Sequence, residues 1–229
     1  MSTLFDCRDE SQLLPGLRQA RQAIGRGELV VLPTDTVYGV AADAFSPRAV
    51  QRLLDAKGRG RQSPPPVLVA GEGMLRALVA EVPEPVERLV AAFWPGGLTI
   101  VLPSQPSLSW DLGETHGTVA VRMPDHRLVR ELIEETGPLA VSSANLTGKA
   151  AAVVAIDAQD MLGDSVAVYL DDGASDTGIA STIVDATGLT GGGTGVVRVL
   201  REGAVDRERL REVLGDALEP DPQPPGEAA

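Results

Sequence analysis

The chain's only two lysines lie in Lys57-Gly-Arg-Gly-Arg61 and in Val141-Ser-Ser-Ala-Asn-Leu-Thr-Gly-Lys149; the rest of its twenty Lys and Arg are arginines. Lys57, Arg59 and Arg61 put three cations into five residues of a protein whose net charge is −12. Concentrated positive charge on an acidic chain sets a local field opposed to the global one and marks a candidate anion site. Gly58 and Gly60 would let backbone amides approach an anion closely, and alternate residues of an extended segment would turn the three cations to one side. The segment is not a P-loop, because it lacks Gly-Lys-Ser/Thr and follows a helical pattern rather than a strand. A triphosphate, a carboxylate or bicarbonate would suit it. The plain alternatives are a solvated basic turn, and codon bias for the scarcity of lysine.

Further polar groups sit where apolar runs end. Thr34-Asp35-Thr36 follows the run Leu29 to Pro33, and ligands of open α/β sheets gather at strand ends; the alternative is a turn bonded only to itself. Arg122 ends Thr118-Val-Ala-Val-Arg122, where an inward cation needs an anion. Ser142-Ser-Ala-Asn145 follows Leu139 to Val141, and alternation places Ser143 and Asn145 on one side with Ala144 inward. Ser181 and Thr182 begin another apolar run and Arg201 ends one. The two histidines, His116 and His126, and the single cysteine, Cys7, form no nucleophile–base pair. Hydroxyls, cations and amides suit the positioning and neutralising of phosphates.

Helical patterns are expected over Pro15 to Arg26, from Ser46 to Lys57, over Pro85 to Phe93, over Asp125 to Glu135 with Asp125 as cap, and over Arg207 to Leu218. Strands are expected at 29–33, 67–70, 98–102, 118–122, 139–141, 166–170, 181–185 and 195–200. This alternation predicts a single α/β domain over about residues 10–217, an open, twisted, mixed sheet around a concave cleft. Residues 218–229, acidic and rich in proline, read as a disordered tail. No run of eighteen apolar residues and no secretory leader is present, and one cysteine excludes an internal disulfide and a cysteine-rich zinc site. The expected setting is the cytoplasm, without membrane partners. A net charge of −12 argues against coating nucleic acid by charge alone.

Taken in order, Pro33-Thr-Asp-Thr-Val-Tyr-Gly39, Lys57-Gly-Arg59, Pro66-Val-Leu-Val69, Trp94-Pro-Gly96 with Leu98-Thr99, Val119 to Pro124 with His126, Ser143-Ala-Asn-Leu-Thr-Gly148, Ser181-Thr-Ile-Val-Asp185, and Leu200-Arg201 with Gly203 resemble the YrdC-like family of L-threonylcarbamoyladenylate synthases. The resemblance spans roughly residues 15–205. It implies formation of L-threonylcarbamoyl-AMP and pyrophosphate from L-threonine, bicarbonate and ATP, a nucleotidyl transfer with Mg²⁺ accompanying ATP. It further implies a downstream tRNA threonylcarbamoyltransferase complex that takes the product to adenosine in tRNAs reading codons that start with A. Carried over by motif, Lys57 and Arg59 are the catalytic pair. Thr34, Arg59, Arg122, Val141 and Ser181 form the threonine site. Lys57, Arg61, Thr118, Ser143, Asn145 and Arg201 form the ATP site, with no metal ligand among the protein side chains. Ala180 stands where the family usually has glutamate. The length matches the family's single-domain type. The alternatives are a double-stranded RNA- or tRNA-binding or regulatory paralogue of the same fold, and a carbamoyl-transfer module of the hydrogenase-maturation kind, which the single cysteine disfavours.

Overall fold

A computed structural model describes residues 2–221. One sheet runs through the whole molecule. Its strands are β1 (Thr3–Asp6), β2 (Val30–Leu32), β3 (Gly39–Asp43), β4 (Val67–Leu68), β5 (Leu98–Pro103), β6 (Thr118–Arg122), β7 (Leu139–Ser143), β8 (Val168–Asp171), β9 (Thr182–Asp185) and β10 (Arg198–Arg201). Their order is β1-β8-β2-β3-β7-β4-β6-β5-β9-β10. The pairs β1/β8, β2/β8, β4/β6 and β5/β9 are parallel and the rest antiparallel, so the sheet is mixed, as expected. The short link from Pro33 to Tyr38 forces β2 and β3 antiparallel, because a parallel neighbour needs a crossover.

The helices are α1 (Glu10–Gly25), α2 (Pro47–Lys57), α3 (Glu72–Leu78), α4 (Glu84–Phe93), α5 (Arg127–Thr136), α6 (Ala155–Leu162) and α7 (Arg207–Leu214). Strand alternation divides the core. In β2, Val30 and Leu32 pack with Ala20 and Ile24 of α1 and Leu132 of α5, whereas Val31 packs with Leu53 of α2 and Leu162 of α6. This half of the sheet is therefore covered on both faces. In the other half, Leu98, Ile100, Val119, Val121 and Val184 pack with α3, α4 and α7. The residues between them, Thr99, Val101, Thr118, Ala120 and Arg122, emerge on the opposite face and floor the cleft.

Several boundaries differ from expectation. The first helix starts at Glu10, not Pro15, because Asp9 caps it by accepting from the Ser11 amide, and Pro15 lies inside. His126, not Asp125, is the N-cap of α5, and Asp125 instead pairs with Arg130. Strands β1 and β3 and helices α3 and α6 were not expected. The five-residue run Gly39–Asp43 is nearly all buried, so it shows no polar alternation. The domain extends past both predicted ends: β1 lies at the sheet edge, and Leu218 is 2% exposed within the core. Glu219 accepts from the Val199 amide and pairs with Arg207, and Asp221 pairs with Arg207 and Arg211. The expected tail is thus packed over 218–221; its remainder, 222–229, lies outside the described residues. Ending the chain after Ala217 should cost about 1.5–3 kcal/mol from Leu218 alone. Ending it after Asp221 should retain that contribution, and equal melting temperatures for the two truncations would contradict this packing.

Candidate active site

The cleft is a cavity of about 360 Å³ walled by the β2–β3 link, the ends of β5, β6, β7 and β9, the Pro64-Pro-Pro66 run, and the segments around Leu112 and Ala151. No Asp, Glu, His, Cys or Lys lines it; its polar side chains are hydroxyls, one tyrosine and three arginines, Arg59, Arg122 and Arg201.

Arg122, at the inner end of β6, is only 7% exposed. Its Nε donates to Gly96 O at 2.9 Å, Nη1 to Thr36 Oγ1 at 2.8 Å and Nη2 to Asp35 Oδ1 at 2.5 Å. The same Asp35 oxygen accepts the Asp125 amide at 3.0 Å, tying the β2–β3 link to the start of α5. Burial lowers the guanidinium's pKa, Asp35 raises it and the charge of Arg201 lowers it. Thr34 Oγ1 donates to Val37 O at 2.6 Å, accepts the Thr36 amide and lies 3.0 Å from Thr36 Oγ1. Its proton is therefore spent within the turn, and Thr36 carries the link to Arg122.

Arg59 and Arg201 have no ion pair among the described residues. Arg59 Nη1 donates to Ser142 Oγ at 3.2 Å. Arg201 grips Ser181 through its carbonyl at 2.6 and 3.1 Å and its hydroxyl at 3.1 Å. Burial, then the charge of Arg59, lowers the Arg201 pKa. Two cations without carboxylates, close enough to disturb each other, make a candidate anion site in an acidic protein.

The structure corrects the expected row of cations. Lys57 closes α2, and Gly58, at φ +62, turns the chain in the left-handed region, so the segment is not extended. The Lys57 side chain is 1% exposed and away from the cleft surface. Its Nζ donates to the Ser143 carbonyl, to Asn145 O at 2.7 Å and to Asn145 Oδ1 at 3.3 Å. Thr147 closes the junction by donating through Oγ1 to Lys57 O at 2.8 Å. Burial, then the charge of Arg59, pulls the ammonium down to about 8. Arg61 points outward and pairs with Asp111 at 2.6 Å, both exposed. Asn145 does not share a direction with Ser143: its Nδ2 donates to Leu146 O and Lys149 O, folding the side chain into its own loop. Ala144 is inward, as alternation requires.

Of the other sequence candidates, Thr34, Thr118, Val141, Ser143 and Ser181 line the cleft with the three arginines, whereas Lys57, Arg61 and Asn145 do not. Sequence reasoning placed Thr99 in a motif but gave it no role in the site. It is 1% exposed, lines the cleft and lies 2.8 Å from Ser181 Oγ. A lone hydroxyl between Leu98 and Ile100 was the available signal. His126 does not line the cleft; its Nε2 lies 3.3 Å from Asp172 and its pKa is lowered chiefly by burial.

A family model for Sua5, YciO and YrdC proteins, described as "Telomere recombination", matches residues 22–203. The "Putative threonylcarbamoyl-AMP synthase" of Mycobacterium tuberculosis (strain ATCC 25618 / H37Rv) is 52% identical over 94% of this chain and 96% of its own. The threonylcarbamoyl-AMP synthase of Bacillus subtilis (strain 168) is 36% identical over 88% of this chain and 57% of its own. The crystal structure of Pyrococcus abyssi Sua5 complexed with L-threonine superposes with a TM-score of 0.81 at 36% identity, over 87% of this chain and 57% of that one.

Proposed function

Since the chain belongs to the Sua5/YciO/YrdC family, we propose that it is a threonylcarbamoyl-AMP synthase, forming the adenylate and pyrophosphate from L-threonine, bicarbonate and ATP. The product serves threonylcarbamoyl modification of tRNA adenosine, through a downstream transferase complex. The observation that carries this reading is the convergence of Arg59, Arg122 and Arg201 on one cleft lined by no carboxylate. ATP, bicarbonate and the leaving pyrophosphate are anions and threonine carries a carboxylate, and a cleft lined by such cations attracts these groups.

The reaction class is nucleotidyl transfer. The carbamate made from threonine and bicarbonate attacks the α-phosphate through a carboxylate oxygen, and pyrophosphate leaves. Arg122, held by Asp35, Thr36 and Gly96 O, offers its remaining N–H groups to a carboxylate in a fixed fork. Thr99, Ser181 and Val141 bound the same subsite. Arg59 and Arg201, with Thr118 and Ser143, face the phosphates, where preorganised charge counts most. Lys57 and Asn145 act through the backbone they hold. The described residues include no cluster of three or more His, Cys, Asp or Glu able to hold a metal ion. In this reading Mg²⁺ accompanies ATP as part of the substrate.

Among the described residues no helix is long and apolar enough to cross a membrane. The test is mass spectrometry of a reaction with ATP, L-threonine, bicarbonate and Mg²⁺. Threonylcarbamoyl-AMP and an equal amount of pyrophosphate are expected, both dependent on threonine. Pyrophosphate release indifferent to threonine would refute the reading.

A further inference from the structure

We propose that Lys149 is a self-modification site, at which the protein captures its own activated product before release. The proposal rests on the synthase reading above. Threonylcarbamoyl-AMP is a carbamic–phosphoric anhydride, an electrophile toward primary amines. The chain offers such a reagent few targets. All but two of its Lys and Arg are arginines, whose guanidinium stays protonated and does not compete as a nucleophile. Lys57 is buried, with its Nζ engaged by three oxygens. Cys7 is buried, its thiol pushed up to about 12. Lys149 is exposed and has no ion pair among the described residues. The amino terminus lies outside the described residues.

Lys149 also sits beside the cleft. Ser143 and Ala151, on either side of it in the chain, line the cavity. The loop between them is held in place by Asn145 Nδ2, which donates to Lys149 O at 2.8 Å. In the capture step, the neutral Nζ forms a C–N bond to the carbamoyl carbon, and the bond from that carbon to the phosphate oxygen breaks. AMP leaves with the electron pair, the displaced proton goes to solvent, and a urea links threonine to the lysine. No oxidant or reductant is required.

The experiment is peptide mass spectrometry of the full chain after turnover with ATP, L-threonine, bicarbonate and Mg²⁺, with the adenylate quantified in parallel. The expected result is one threonylcarbamoyl group on Lys149 and none on Lys57, with Lys149→Arg unlabelled yet normally active. In a mixture of active protein and an isotope-labelled Arg122→Ala variant, only the active chains should carry the group. Product formation without label on Lys149, or equal labelling of both chains in the mixture, overturns capture while leaving the synthase reading intact. Absence of the adenylate overturns both.

Discussion

Replacing Arg122 with alanine is expected to lower kcat/KM for threonine by about two to three orders of magnitude, the scale on which a preorganised donor to a developing charge acts. It should also destabilise the fold by roughly 3–5 kcal/mol, because Asp35 is left buried without its cation. The two effects separate by design. Arg122→Ala combined with Asp35→Asn removes the stranded charge, so melting temperature should recover substantially while turnover does not. Arg122→Lys should stay impaired, since an ammonium cannot reach Gly96 O, Thr36 and Asp35 in one plane. Measuring thermal unfolding and threonine-dependent pyrophosphate release on the three variants decides the matter. Recovery of activity together with stability in the double variant would make Arg122 a purely structural residue.

Lys57→Met should reduce turnover about ten- to a hundredfold and lower the melting temperature as well. A solvated loop cation would contribute little to folding. The buried Lys57 instead leaves acceptors behind when removed, each unsatisfied one costing about 1–3 kcal/mol. Its ionisation supplies a second signature. With the folded-state value near 8 and the ordinary value 10.5, the unfolded chain holds more protons than the native one between them. Raising the pH across that window therefore favours the native state. Turnover should move the opposite way, falling with a midpoint near 8 as the ammonium loses a donor to Ser143 and Asn145. Cys7 titrates far higher, and burial likewise raises Tyr38 and Tyr169. Lys57→Met should accordingly lose this alkaline limb. A variant that keeps both the limb and its melting temperature would show that Lys57 does not pin the loop.

These two residues also mark where sequence reading succeeds and where it stops. The order of apolar runs, the α/β class and the mixed sheet follow from local chemistry: β-branched runs make strands, and Ser46 with Pro47 starts α2. The motif order identified the family, and Arg122 at the end of an apolar strand announced an anion partner. Its actual partner, Asp35, was already adjacent to suspicion within Thr34-Asp35-Thr36. Only the tertiary structure decided that these two segments meet, because β2 and β6 are separated by β3, β7 and β4 in the sheet.

The direction of Lys57 was likewise beyond local reading. Spacing in Lys57-Gly-Arg-Gly-Arg61 is compatible with an extended row, but Gly58 turns the chain and packing sends the three cations to three places: a buried loop junction, the cleft and the surface. The β3 strand went unnoticed for a related reason, since burial on both faces erases the polar–apolar alternation that reveals a strand. The sequence by itself determined which groups were available and that their chemistry was anion handling. Which of them face the ligand, and which hold those that do, was decided by long-range pairing of the sheet, where contacts between distant segments outweigh local preference.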